Sequence, residues 1–151
     1  MATDLRTFVS FECQSSDEGE FDDKGNAIRP PGKEIAEYLK SALGVEGFGV
    51  TPVSQHSFYG WAFEARLDKS VVWCLLQFPG PWLVLTKGRG GILSRLFSRN
   101  SEAHSRVCRA IHKSLTHNPL VASVRWLREE SMSTLLEWEE RIRHGQKDDE
   151  R

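Results

Sequence analysis

A chain of 151 residues that is 39% hydrophobic and holds five tryptophans is expected to form one packed globular domain rather than a disordered chain. No apolar run reaches the ~20 residues a membrane helix needs, and residues 1–11 alternate polar with apolar and hold no secretory h-region. The net charge of −1 conceals three blocks: residues 1–65 carry 11 acidic against 5 basic groups, 66–128 carry 2 against 11, and 129–151 carry 8 against 4. Such segregation bears on partners and on the steering of encounters. Cys13, Cys74 and Cys108 are odd in number and far apart, which predicts reduced thiols and a cytoplasmic location rather than a disulfide framework.

In chain order, residues 5–13 read as a strand with Leu5, Thr7, Val9, Phe11 and Cys13 on one face. An acidic loop covers 15–26 and closes at the turn-prone Asp23-Lys24-Gly25-Asn26. Pro30-Pro31-Gly32 opens a helix whose inward stripe is Ile35, Ala36, Leu39, Ala42 and Leu43, and Gly44 and Gly47 end it. The period then changes to two. Residues 48–53 form a short strand, and 61–67 place Trp61, Phe63, Ala65 and Leu67 on one face. Residues 71–78 are apolar on both faces, and 82–86 follow Pro79-Gly80-Pro81 to complete an antiparallel meander.

Residues 87–100 read as a glycine- and arginine-rich connection. A second helix spans 101–118, with Ser101 as its N-cap, Pro119 beyond its end, and Val107, Cys108, Ile111 and Leu115 inward. A strand over 120–127 places Leu120, Ala122, Val124 and Trp126 on one face. A C-terminal helix over 130–145 turns Met132, Leu135, Leu136 and Ile142 inward, and Glu137–Arg141 and Glu139–Arg143 are i, i+4 pairs. These elements predict a single α+β domain over 1–146, followed by a charged tail over 147–151. Its plan is a mainly antiparallel sheet of five or six strands with two helices on one face and a C-terminal helix, a two-layer sandwich. The second apolar face of 71–78 requires cover, from the C-terminal helix or from another molecule.

Two charged segments are the candidate sites. Lys87, Arg89, Arg95, Arg99, Arg106, Arg109 and Lys113 fall in one loop and the helix after it, and Gly88, Gly90 and Gly91 permit close backbone approach to an anion. The Gly-Lys-Ser/Thr ending of a phosphate-binding loop is missing. Ile92, Leu93, Leu96 and Phe97 alternate with Arg95 and Arg99 as an amphipathic turn. The acidic segment offers Asp17, Glu18, Glu20, Asp22 and Asp23 to a basic protein partner. It fails as a calcium loop. With Gly25 at the required glycine, Lys24 falls on a ligand position and Pro31 on the bidentate glutamate.

His104, Cys108 and His112 stand four residues apart, yet Cys108 shares the inward stripe and a fourth ligand is missing, so neither a metal nor another cofactor is expected. Trp61, Trp73 and Trp82 fall on neighbouring strands, as a stacking platform if exposed and as core if buried. No nucleophile elbow, zinc-protease helix or paired-carboxylate arrangement is present, and the chain is not expected to be an enzyme.

The stretch Pro31-Gly32-Lys33-Glu34-Ile35-Ala36-Glu37-Tyr38-Leu39, then Gly47-Phe48-Gly49-Val50 and Gly60-Trp61-Ala62-Phe63, resembles small uncharacterised bacterial α/β proteins. Gly91-Ile92-Leu93-Ser94-Arg95-Leu96-Phe97 and Val124-Arg125-Trp126 extend the resemblance, which covers residues 30–127. Some proteins of this look are immunity proteins that neutralise toxins, so the resemblance implies a bacterial binding protein and assigns no functional residue. The leading expectation is a non-enzymatic protein-binding module, an immunity-type inhibitor. The alternative is an anion- or nucleic-acid-binding domain using the basic 87–113 segment. Homodimerisation through the sheet or the C-terminal helix is compatible with either.

Overall fold

The computed structural model describes residues 7–15, 18–56, 60–77, 82–89 and 99–127. The fold is α+β. Strands β1 (Phe8–Cys13), β4 (Gly49–Val50), β5 (Ser54–His56), β6 (Gly60–Leu67), β7 (Ser70–Gln77), β8 (Trp82–Arg89) and β9 (Val121–Leu127) form one antiparallel sheet. Its order is β4-β6-β7-β8-β1-β9, and β5 shares the outer edge of β6 with β4. A separate two-stranded hairpin joins β2 (Glu20–Phe21) to β3 (Ala27–Arg29).

Two helices, α1 (Lys33–Val45) and α2 (Arg99–Thr116), pack on each other and on one face of the sheet. The period-2 pattern of the central strands supplies that face. Trp61, Phe63 and Ala65 of β6 lie beside Leu76, Cys74 and Val72 of β7, and Val84 of β8 stands between Leu76 and Val9. The helices answer with Ile35, Ala36, Leu39 and Leu43 from α1 and Val107, Ile111 and Leu115 from α2. Each large apolar side chain taken out of water here contributes about 1.5–3 kcal/mol. On the opposite face Ala62, Leu75 and Leu83 are also buried, as the doubly apolar strand predicts. The expected helix over 130–145 lies outside the described residues, as does the charged tail. No helix among the described residues is long and apolar enough to cross a membrane.

Both ends of α1 follow from glycine. Gly32 has φ +106°, and its carbonyl accepts the first helical bond from Ala36 N at 3.0 Å. At the other end Phe48 N donates to Leu43 O (3.1 Å) and Gly47 N to Gly44 O (3.1 Å), with Gly47 at φ +98°. This is the paired-bond reversal that a left-handed residue permits. It turns Glu46 and Phe48 back toward α2.

Among the described residues the sheet has seven strands where the sequence predicts five or six, and four elements of the sheet and helix layers depart from their expected form. The 48–53 strand divides around Pro52, where Thr51 Oγ1 accepts from Glu64 N at 2.8 Å in place of a ladder bond. β8 runs on to Arg89 because Val71, Val72 and Trp73 pair with Arg89, Gly88 and Lys87, so Lys87 and Arg89 belong to a strand and not to a loop. α2 already runs at Arg99, so Ser101 lies inside the helix and does not cap it. In β9 the register shifts opposite Ser10–Glu12 and Ser123 adopts φ +56°. A bulge of this kind reverses the alternation. Val121, Val124 and Trp126 therefore pack on the core, whereas Leu120 and Ala122 are exposed.

Candidate binding surfaces

The acidic segment, expected as a loop, is an ordered hairpin. Asp22 N donates to Asn26 O at 2.8 Å and Gly25 N to Asp22 O at 3.0 Å. The Asp22 carboxylate accepts from Asn26 N (2.8 Å), Lys24 N (2.9 Å) and Asn26 Nδ2 (3.3 Å), a turn closed by its own side chain. The Asn26 amide in particular holds the Asp22 carboxyl below its ordinary range. The hairpin is fastened to the sheet by Gln55 Nε2, which donates to Ile28 O at 3.1 Å. Beside it, Trp61 Nε1 donates to the carbonyl of buried Pro30 at 3.0 Å.

This geometry divides the five expected carboxylates. Asp22 is committed to the turn. Glu20 lies 3.6 Å from Arg29, its cross-strand partner. Glu18 and Asp23 are exposed, and Asp17 lies outside the described residues. Among them the hairpin exposes two apolar side chains that the charge pattern did not single out, Phe21 at 49% and Ile28 at 59%.

The described side chains of the basic block, Lys87, Arg106, Arg109 and Lys113, do not share one surface. Lys87 pairs with Trp73 on the sheet face away from the helices, because neighbouring Thr86 faces α2. Arg89 ends β8, Arg99 begins α2, and Arg95 lies outside the described residues, as does the amphipathic turn around it. Arg106, Arg109 and Lys113 do come together. With Glu46, Phe48 and Ala110 they line a groove of about 210 Å³ between the end of α1 and the middle of α2. The Arg106 guanidinium lies 5.6 Å from the Phe48 ring centroid, and Lys113 Nζ lies 3.1 Å from Glu46 Oε1. Tyr38 fixes the two helices nearby, its hydroxyl donating to Ser114 O at 2.8 Å. Glu46 and Phe48 escaped the sequence reading, since nothing local ties a helix-ending reversal to cations about sixty residues on.

The His104, Cys108 and His112 trio separates. His112 faces β9, where its Nδ1 accepts from Trp126 Nε1 at 2.9 Å. His104 and Cys108 point inward to Thr86, with Oγ1 at 2.7 Å from Nε2 and 3.5 Å from Sγ. Burial pushes the Cys108 and Cys74 thiols up and the His104 imidazole down, so neutral forms are favoured at all three. A neutral thiol is a poor nucleophile and a poor metal ligand. The tryptophans separate as well: Trp61 and Trp82 are buried beneath the helices, and Trp73 stands on the opposite face with His56 5.3 Å away, edge to face.

Comparison of the chain with protein-family models, curated proteins and solved structures finds no match.

Proposed function

We propose that the protein is a non-enzymatic protein-binding module whose β2–β3 hairpin inserts into a basic partner surface. One observation carries this reading. A hairpin held rigid by its own Asp22 turn exposes Phe21 and Ile28 beside the carboxylates of Glu18, Glu20 and Asp23. Large apolar side chains that bury in a partner's pocket supply affinity, and surrounding carboxylates supply steering and choice of partner. Because the turn is already ordered, little conformational entropy is lost on docking. The partner class this suits is a cationic protein, and the specific form we favour is an immunity-type inhibitor that covers the basic site of a toxin.

The test is parallel affinity capture of a partner by the wild type, by Phe21→Ser/Ile28→Ser and by Glu18→Lys/Asp23→Lys. A partner held by the wild type should be lost by the apolar variant. Its association should slow in the charge-reversed variant, most strongly at low salt. Equal capture by all three proteins overturns the hairpin as the contact. If the recovered partner poisons growth alone and not beside this chain, the inhibitory form stands; a partner with no such effect overturns that form.

A further inference from the structure

The groove between α1 and α2 is separate from the hairpin and calls for its own occupant. Arg106, Arg109 and Lys113 stand at i, i+3 and i+7, so one side of α2 gathers three cations. Like charges at such spacing repel unless acidic groups are interleaved among them. Among the described residues Glu46 is the one carboxylate in the groove lining, engaged by Lys113 at 3.1 Å, and Glu102, four residues before Arg106, is the acidic group within α2 itself. Arg106 is held over the Phe48 ring, which orients the guanidinium, and it forms no ion pair with a carboxylate among the described residues. Arg109 is exposed and pairs with no carboxylate among the described residues. The lining thus carries three positive groups against one negative, around a concavity with Phe48 and Ala110 in its wall.

We propose that this groove binds the phosphoryl group of a small phosphate ester. Two adjacent guanidinium groups suit it because their planar forks give paired, charge-assisted bonds to phosphoryl oxygens. The surplus of two positive charges matches a phosphate dianion. The groove offers about 210 Å³. That is room for a phosphoryl group and a short organic substituent lying against Phe48. A nucleic-acid backbone carries the same group, but a single groove engages one phosphate of a strand, whereas strand binding draws its affinity from many.

The test is an NMR titration of the full-length, nitrogen-15-labelled protein at fixed ionic strength. The probes are phenyl phosphate, inorganic phosphate and a single-stranded oligothymidylate. Phenyl phosphate should give saturable shifts at the amides of Phe48, Arg106, Arg109, Ala110 and Lys113, with inorganic phosphate acting at the same amides more weakly. Arg109→Gln, an exposed change that leaves the core alone, should weaken binding about tenfold. Glu46→Gln releases Lys113 and should tighten binding several-fold, a gain that purely structural arginines would not produce. Absence of saturable shifts at these amides overturns the proposal, as does unchanged binding in both variants. Saturation by the oligothymidylate without response to phenyl phosphate also overturns it and assigns the groove to nucleic acid.

Discussion

The Thr86 hydroxyl lies 2.7 Å from His104 Nε2 and donates its one proton to the Thr7 carbonyl oxygen, also at 2.7 Å. It can therefore only accept from the imidazole, which requires His104 to carry a proton on Nε2. Cys108 Sγ, 3.5 Å from the same oxygen, is a second donor to it. One hydroxyl thus ties β8 to the residue that precedes β1 and to α2. Replacing it by the equally sized Thr86→Val leaves His104 Nε2 and Cys108 Sγ short of a partner, whereas the Thr7 carbonyl keeps the Thr86 amide at 3.0 Å. We expect a loss of about 1–3 kcal/mol in denaturant unfolding, and no loss in that experiment removes the hydroxyl's bridging role.

Burial lowers the His104 pKa from its ordinary 6.5, with hydrogen bonding to Thr86 offsetting part of the shift. The unfolded chain therefore binds the proton more readily than the folded one. The stabilisation is complete above 6.5 and is lost as pH falls from there toward the folded value. Melting temperatures taken just above and below pH 6.5 should show this decline, and His104→Leu should flatten it. A decline of the same size in that variant would place its origin in another group.

The three thiols should react in a fixed order. Burial raises the pKa of Cys74, Cys108 and Cys13, with the Glu34 charge adding at Cys13, but Cys13 alone among them is only half-buried. Under native conditions at mildly alkaline pH, iodoacetamide should label Cys13 first, as read by peptide mass spectrometry. Cys74 and Cys108 should follow only upon unfolding.

At Gly32 and Gly60 a methyl group has no room. A Cβ on Gly32 would lie 2.6 Å from Trp82 Cζ3 at a residue whose φ is +106°. A Cβ on Gly60 would run into the Leu76 carbonyl oxygen. Overpacking of this sort costs about 1–3 kcal/mol, and the left-handed backbone adds about 1–2 kcal/mol at Gly32. Gly32→Ala should therefore lower the unfolding midpoint more than Gly60→Ala, and Gly60→Ala more than an exposed substitution.

The hairpin turn should depend on Asp22 and outlast the ordinary titration of a carboxyl. Its amide bonds lower the Asp22 pKa below 3.8, so the turn's stabilisation is present above that value and is lost only as pH falls through the depressed one. Asp22→Ala should remove hydrogen-exchange protection at Lys24 and Asn26, whereas Asp23→Ala should leave it in place.

What could be read from the chain alone was the set of one-sided patterns. Ile35, Ala36, Leu39 and Leu43 at helical spacing, and Trp61, Phe63 and Ala65 at alternate positions, are all buried where their period places them. A residue's neighbours three, four or two places away set those faces, so local order suffices. The α+β plan followed, because alternating and helical stretches must bury their apolar faces against one another.

Only the tertiary structure decided the rest. Ser123 reverses the phase of β9 because β1 imposes its register there, and the strand's own alternation carries no trace of that. Lys87 and Arg89 became strand because Val71–Trp73 offered them backbone partners. Lys87 lies on the sheet face and Arg106, Arg109 and Lys113 line a helix groove, since a charge count along the chain does not say which face each side chain takes. Phe48 and Arg106 meet through a helix reversal and a helix–helix contact across more than fifty residues. Local periodicity reports which face of an element is buried; which charges share a surface depends on how the elements pack.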